Sequence, residues 1–117
     1  MAILHAQAGE VIDIRPLGTR LKDSVTSTLI KTEALEVLRL VMPAGTQIHP
    51  HQVPGEITVQ CLEGQVIFDA GGTDRELVAG DLLFLKGGAM HALRSIKDSS
   101  VLVTILLHHK STAASAH

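Results

Sequence analysis

The sequence predicts an all-β chain folded as one sandwich or barrel, and three observations carry that reading. Short runs rich in Leu, Ile and Val recur from end to end, each broken by Gly, Pro or a polar cluster. No segment sustains the 3.6-residue apolar period of a helix for three turns. Aromatic content is 2%, from Phe68 and Phe84 alone, so branched aliphatic side chains must build the core. Those side chains suit pleated sheets.

Taken in order, residues 11–15 read as a strand that ends at Pro16 and Gly18. Residues 26–32 and 35–42 follow, the second stopped by Pro43-Ala44-Gly45. Residues 45–64 then bring together His49, His51, Glu56, two prolines and three glycines ahead of a strand-like run. Residues 66–68 and 75–79 flank Gly71-Gly72, a hairpin signal. Residues 82–85 lie between Gly80-Asp81 and Gly87-Gly88, and residues 92–96 alternate up to the break at 97–100. The nearly continuous apolar run 101–107 is expected to be buried on both faces, either centrally or in a dimer contact. Many short strands at this spacing mean a sandwich or barrel.

The chain has 117 residues and 45% hydrophobic content, enough for one core. Residues 1–109 are expected to form a single domain, and the small polar segment 110–117 a frayed tail. A net charge of -2, scattered basic residues and almost no aromatics argue against nucleic acid as a partner. No apolar run approaches the roughly 20 residues needed to span a bilayer. The first ten residues lack the pattern of a secretion signal, and Cys61 is the only cysteine. A cytoplasmic protein without internal disulfides is the expectation.

Two stretches carry the chemistry. The spacing Gly80-x5-Lys86-x-Gly88-x2-His91-x3-Ser95 resembles the second motif of the cupin family, G-x5-P-x-G-x2-H-x3-N, with Lys86 and Ser95 replacing its proline and asparagine. Residues 45–64 resemble the first motif, G-x5-H-x-H-x3,4-E-x6-G. The resemblance covers about residues 35–107 and implies a double-stranded β-helix, the jelly-roll barrel. It also implies a divalent metal (Fe, Mn, Ni, Co or Zn) bound by the motif histidines and acid, a donor set that suits such ions.

Two counts of the first motif compete. From the pair His49-x-His51, four residues lead to Glu56, and the ligand set becomes His49, His51, Glu56 and His91. That pairing draws on the rule that residues i and i+2 of a strand face the same way. It leaves only three residues between Gly45 and His49, and seven between Glu56 and Gly64. Counted from the glycines instead, the ligand positions read His51, Val53 and Ile57, and two ligands are lost. A one-residue slip reverses every face of a strand. On the glycine count Ile57, Val59 and Cys61 point inward and Gln60 outward; on the histidine count Glu56, Thr58 and Gln60 line the cavity, aided by a β-bulge near Gly55 or Gly64.

The candidate pocket residues are therefore His51 and His91, with Ile57, Val59, Gln60 and Cys61 beside them. Each also has a plainer reading: Cys61 as a small core residue, Glu56 as an exposed acid, His49 as a solvent-facing residue before Pro50. His5, His108, His109 and His117 lie near the chain ends and read as incidental, and Arg94 has the wrong strand parity for the cavity. Two functions follow. One is a barrel that binds a small molecule through His51 and His91 with a reduced or absent metal site. The other is a metal-dependent enzyme of oxygenase, isomerase or decarboxylase type, using all four ligands. A purely structural dimer is a weaker third. Edge strands and an apolar outer face make a homodimer the expected assembly in each case.

Overall fold

In the computed structural model, which describes residues 5–107, the aliphatic runs form nine strands among the described residues. They are β1 (Ser27–Lys31), β2 (Leu35–Met42), β3 (Gln47–His51), β4 (Ile57–Glu63), β5 (Gln65–Ala70), β6 (Thr73–Val78), β7 (Leu82–Leu85), β8 (His91–Ser95) and β9 (Ser99–Leu106). Two antiparallel sheets face each other, ordered β1-β2-β9-β4-β7 and β3-β8-β5-β6. This is the jelly-roll barrel. The expected tail, His108 and His109 fall outside the described residues. Among the described residues, no helix is long and apolar enough to cross a membrane.

One expected strand does not form. Residues 11–15 join no sheet, and a 3-10 turn, Gly18–Asp23, follows them. The segment instead lies against β2, where the buried Arg39 guanidinium donates to the carbonyl oxygens of Asp13 and Arg15 at 3.4 and 3.2 Å. Ile12 and Ile14 are only half-covered and Val11, Asp13 and Arg15 are exposed, so the alternation meets no sheet edge to join. The apolar run near the C-terminus is placed centrally, with β9 hydrogen-bonded between β2 and β4, but it is not buried on both faces: Leu102 is half-buried and Leu106 exposed on its outer side. The Gly71-Gly72 turn closes the β5–β6 hairpin with φ of 61° and 89°, the left-handed pair that a two-residue hairpin of type I′ requires.

The space between the sheets is filled at one end and hollow at the other. Met42, Cys61, Val66, Leu77 and Val101 pack the filled end. Gly64 is essential there: at φ 89°, a Cβ would stand 2.2 Å from Ser99 Oγ and 2.4 Å from the Asp98 carbonyl oxygen. Any side chain would push β4 off β9. The hollow end is where the site lies.

The candidate site, a two-histidine pocket at the hollow end of the barrel

The cavity has a volume of about 170 Å³. One wall comes from the larger sheet: Leu38 and Leu40 of β2, Ile57 and Val59 of β4, Val103 and Ile105 of β9. The other comes from Ile48 and His51 of β3, Val53, Phe68 of β5, and His91 and Leu93 of β8. Simple alternation explains most of this. Ile57 and Val59 are buried while Thr58 and Gln60 between them are less so, as period 2 requires of a strand with one face inward.

His51 departs from simple alternation. Along β8, Leu93 and His91 are two residues apart and face inward; their partners on β3 are Ile48 and His51, three residues apart. One extra residue is therefore inserted in β3, a β-bulge across His49 and Pro50. Proline has no N–H to give a ladder, so a bulge in an edge strand is where one is tolerated. The bulge overrides the i, i+2 rule. Ile48 and His51 share the pocket wall, while His49 and Pro50 line a hollow on the opposite face of the sheet, with Gln47, Asp69 and Arg94.

The structure thus brings together His51, His91, Ile57, Val59 and Val53, and places the other candidates elsewhere. Four of them depart from the expected pocket list or ligand set. His49 is on the outer face. Glu56 is exposed and meets β9 through its backbone, its carbonyl accepting from Leu106 N–H at 2.9 Å. Gln60 lies on the outer side of β4, opposite Leu82 and Leu102. The fourth correction is Cys61, which faces inward but in the filled end, fully buried with its thiol toward the Glu63 carbonyl. Burial pushes that thiol up, so it stays protonated, and a thiolate ligand or nucleophile does not fit it. A bulge does sit beside Gly64, at Leu62, but beyond the pocket, so it does not turn Glu56 or Gln60 inward.

The two imidazoles are set with care. Their centroids are 4.2 Å apart and their planes tilted by 60°. His91 is 7% exposed and stacks on Phe68 at 5.7 Å with an interplanar angle of 9°. His51 Nδ1 lies 3.0 Å from the His49 carbonyl oxygen, and His91 Nδ1 lies 3.0 Å from the Ala89 carbonyl oxygen. A carbonyl oxygen only accepts, so each Nδ1 carries the hydrogen. In the neutral rings each Nε2 is then a bare lone pair, and neither has a hydrogen-bond partner among the described residues. Burial in the apolar wall holds the His91 imidazole below its ordinary 6.5; the nearby His51 adds to this and the bond to Ala89 opposes it. His91 is neutral at neutral pH.

Whether a metal suits this pocket is a matter of donors. Among the described residues, no three His, Cys, Asp or Glu side chains gather closely enough to hold an ion. Val53 and Ile57 line the pocket where the motif calls for a second histidine and an acid. A dication held by two imidazoles alone would sit in an aliphatic cavity with no carboxylate to balance it, which is costly. The four-ligand set does not fit. Sequence reasoning missed Leu38, Leu40, Ile48, Phe68, Leu93, Val103 and Ile105, whose apolar alternation marks them as inward but not as cavity lining.

The architecture is widely shared. A conserved protein of unknown function from Streptococcus pyogenes superposes with a TM-score of 0.72 at 19% identity, covering 93% of this chain and 97% of that one. An RmlC-like cupin from Desulfovibrio desulfuricans gives 0.69 at 24% identity, over 83% and 97%. Salicylate 1,2-dioxygenase from Pseudoaminobacter salicylatoxidans gives 0.61 at 16% identity, over 68% of this chain and 24% of that one. At these identities the likeness is one of fold. No curated protein matches the chain in sequence. The cupin domain model matches residues 38–107, which span both glycine-anchored stretches and every residue that lines the pocket. The chain belongs to the cupin family.

Proposed function

We propose that this cupin binds a small, largely apolar molecule in the barrel, oriented by His51 and His91, without the four-ligand metal centre of its family. The observation that carries the reading is the placement of Val53 and Ile57 beside the two histidines, with His49 and Glu56 outside the cavity. A cavity of about 170 Å³ is near the roughly 150 Å³ that accommodates benzene in a dry aliphatic core. A few polar atoms in an apolar pocket supply orientation, and the aliphatic walls supply affinity.

The reading is tested by titrating toluene while following the methyl resonances of Val53, Ile57 and Val103. Saturable shifts confined to pocket methyls support it; none at millimolar toluene overturns it. Dialysis against Fe(II), Mn(II), Ni(II), Co(II) or Zn(II) tests the metal directly. Near-stoichiometric metal that is lost in His51→Ala would restore the enzyme reading.

The expected homodimer belongs to the same proposal. Leu82 and Phe84, 66% and 58% exposed on edge strand β7, continue onto Leu102 and the exposed Leu106 of β9 on the outer face of the larger sheet. A second copy covering this face would bury them. Sedimentation at micromolar concentration should show a dimer, converted to monomer by Phe84→Lys.

A further inference from the structure

The pocket has a polarity as well as a size. Its only polar side chains among the described residues are the two imidazoles, and the other ten lining residues are Leu, Ile, Val and Phe. Both Nδ1 hydrogens are already given to carbonyls, at 3.0 Å each. With both rings neutral, what remains is two adjacent acceptors and no side-chain donor. Building on the small-molecule reading above, we infer that the pocket selects uncharged ligands whose polar end is a hydrogen-bond donor, a phenol- or alcohol-type hydroxyl delivered to Nε2 of His51 or His91.

The argument is one of complementarity. A carboxylate or phosphate ester only accepts, so it meets two lone pairs and an aliphatic wall, and its desolvation is not offset. A ketone or ether faces the same mismatch more mildly. A hydroxyl donates to one Nε2, and the second is open to another hydroxyl or to a water. Ring reorientation does not rescue an acceptor ligand. Flipping either imidazole would bring a carbon to face the carbonyl that now accepts from Nδ1, and the His91 ring is further held flat against Phe68. Protonating His91 would create a donor, but burial opposes the charge.

Phenol, toluene and benzoate form a matched set, since at neutral pH they carry one ring and a donor, nothing, or an anion. Each is titrated against the wild type, His51→Phe and His91→Phe, reading affinity from the Val53 and Ile57 methyl shifts. The phenol-to-toluene affinity ratio should fall about three- to tenfold in one or both variants, the worth of one net hydrogen bond. Using the ratio cancels the intrinsic difference in hydration between the probes, and the exposed His51 provides a variant that folds if His91→Phe does not. Benzoate should bind too weakly to saturate. A ratio unchanged in every folded variant, or benzoate binding as tightly as phenol, overturns the donor rule while leaving toluene binding and the pocket reading intact. Failure of toluene and phenol alike overturns both.

Discussion

Strands β3 and β8 carry two sites back to back, and the contrast between them shows how little sequence separates different chemistries. On the inner face His51 and His91 line an aliphatic cavity, His91 buried and His51 at its exposed mouth, each with Nδ1 turned to a backbone carbonyl. On the outer face His49 and Arg94 share a hollow with Gln47 and Asp69, and Arg94 reaches Asp74 at 3.8 Å across open solvent. His49 and His51 are two residues apart and would share a face on a regular strand. One inserted residue at the bulge sends them to opposite sides. The lesson is that an H-x-H pair reports a common site only if the strand between is regular, and Pro50 is the warning that it is not.

The sharpest way to test that division is to remove bulk from each face of β5. Phe68 is fully buried beneath His91, whereas Ile67 faces the outer hollow and is half-buried. Phe68→Ala should cost about 3–5 kcal/mol, and urea unfolding of the two variants side by side measures it. Ile67→Ala should cost only about 1 kcal/mol, in proportion to the area it buries. Equal losses would mean that the two faces are not as different as the cavity suggests.

The histidines come next. His51→Ala should weaken phenol binding about three- to tenfold. His49→Ala and Glu56→Ala should leave it unchanged, because neither side chain lines the pocket. Loss of binding in all three would show that the bulge relaxes in solution and the histidine count holds after all.

The inner face should also announce itself in the pH dependence of stability. His91 has a folded pKa below its ordinary 6.5, chiefly from burial, so the unfolded chain binds the proton more readily. The sign follows from linkage: stability is complete above about pH 6.5, falls as the pH drops from there toward the folded pKa, and levels off below it. Urea midpoints measured from pH 8 to 5 should show this decline, and His91→Gln should flatten it.

Much of this was legible in the residues. Period-2 runs and turn glycines gave eight of the strands and the Gly71-Gly72 hairpin, because a half-buried sheet imposes its alternation on the sequence directly. The glycine spacing also put His51, Val53 and Ile57 in line with the cavity, since Gly64 is fixed by close contact with Ser99 and the histidines are fixed by nothing so strict. The segment 11–15 misled, because its apolar alternation resembles a strand while its partner is a single buried arginine. Cys61 misled for another reason. Parity says which way a side chain points, but only packing along the barrel axis says whether it meets a cavity or a filled core.

The smallest expected effect is on the outer face itself. The Arg94–Asp74 pair is nearly half exposed on one side and more than half on the other, at a separation of 3.8 Å. Exposed pairs of this kind contribute little, since water screens the attraction and holding both side chains costs rotamer entropy. Arg94→Ala should therefore shift stability by no more than about 0.5 kcal/mol, and less again in half-molar salt. Thermal unfolding at low and high salt checks both statements together. A loss well above that, insensitive to salt, would mean that Arg94 is held by something other than Asp74. The outer hollow would then be an organised site in its own right, no longer the solvated back of the pocket wall.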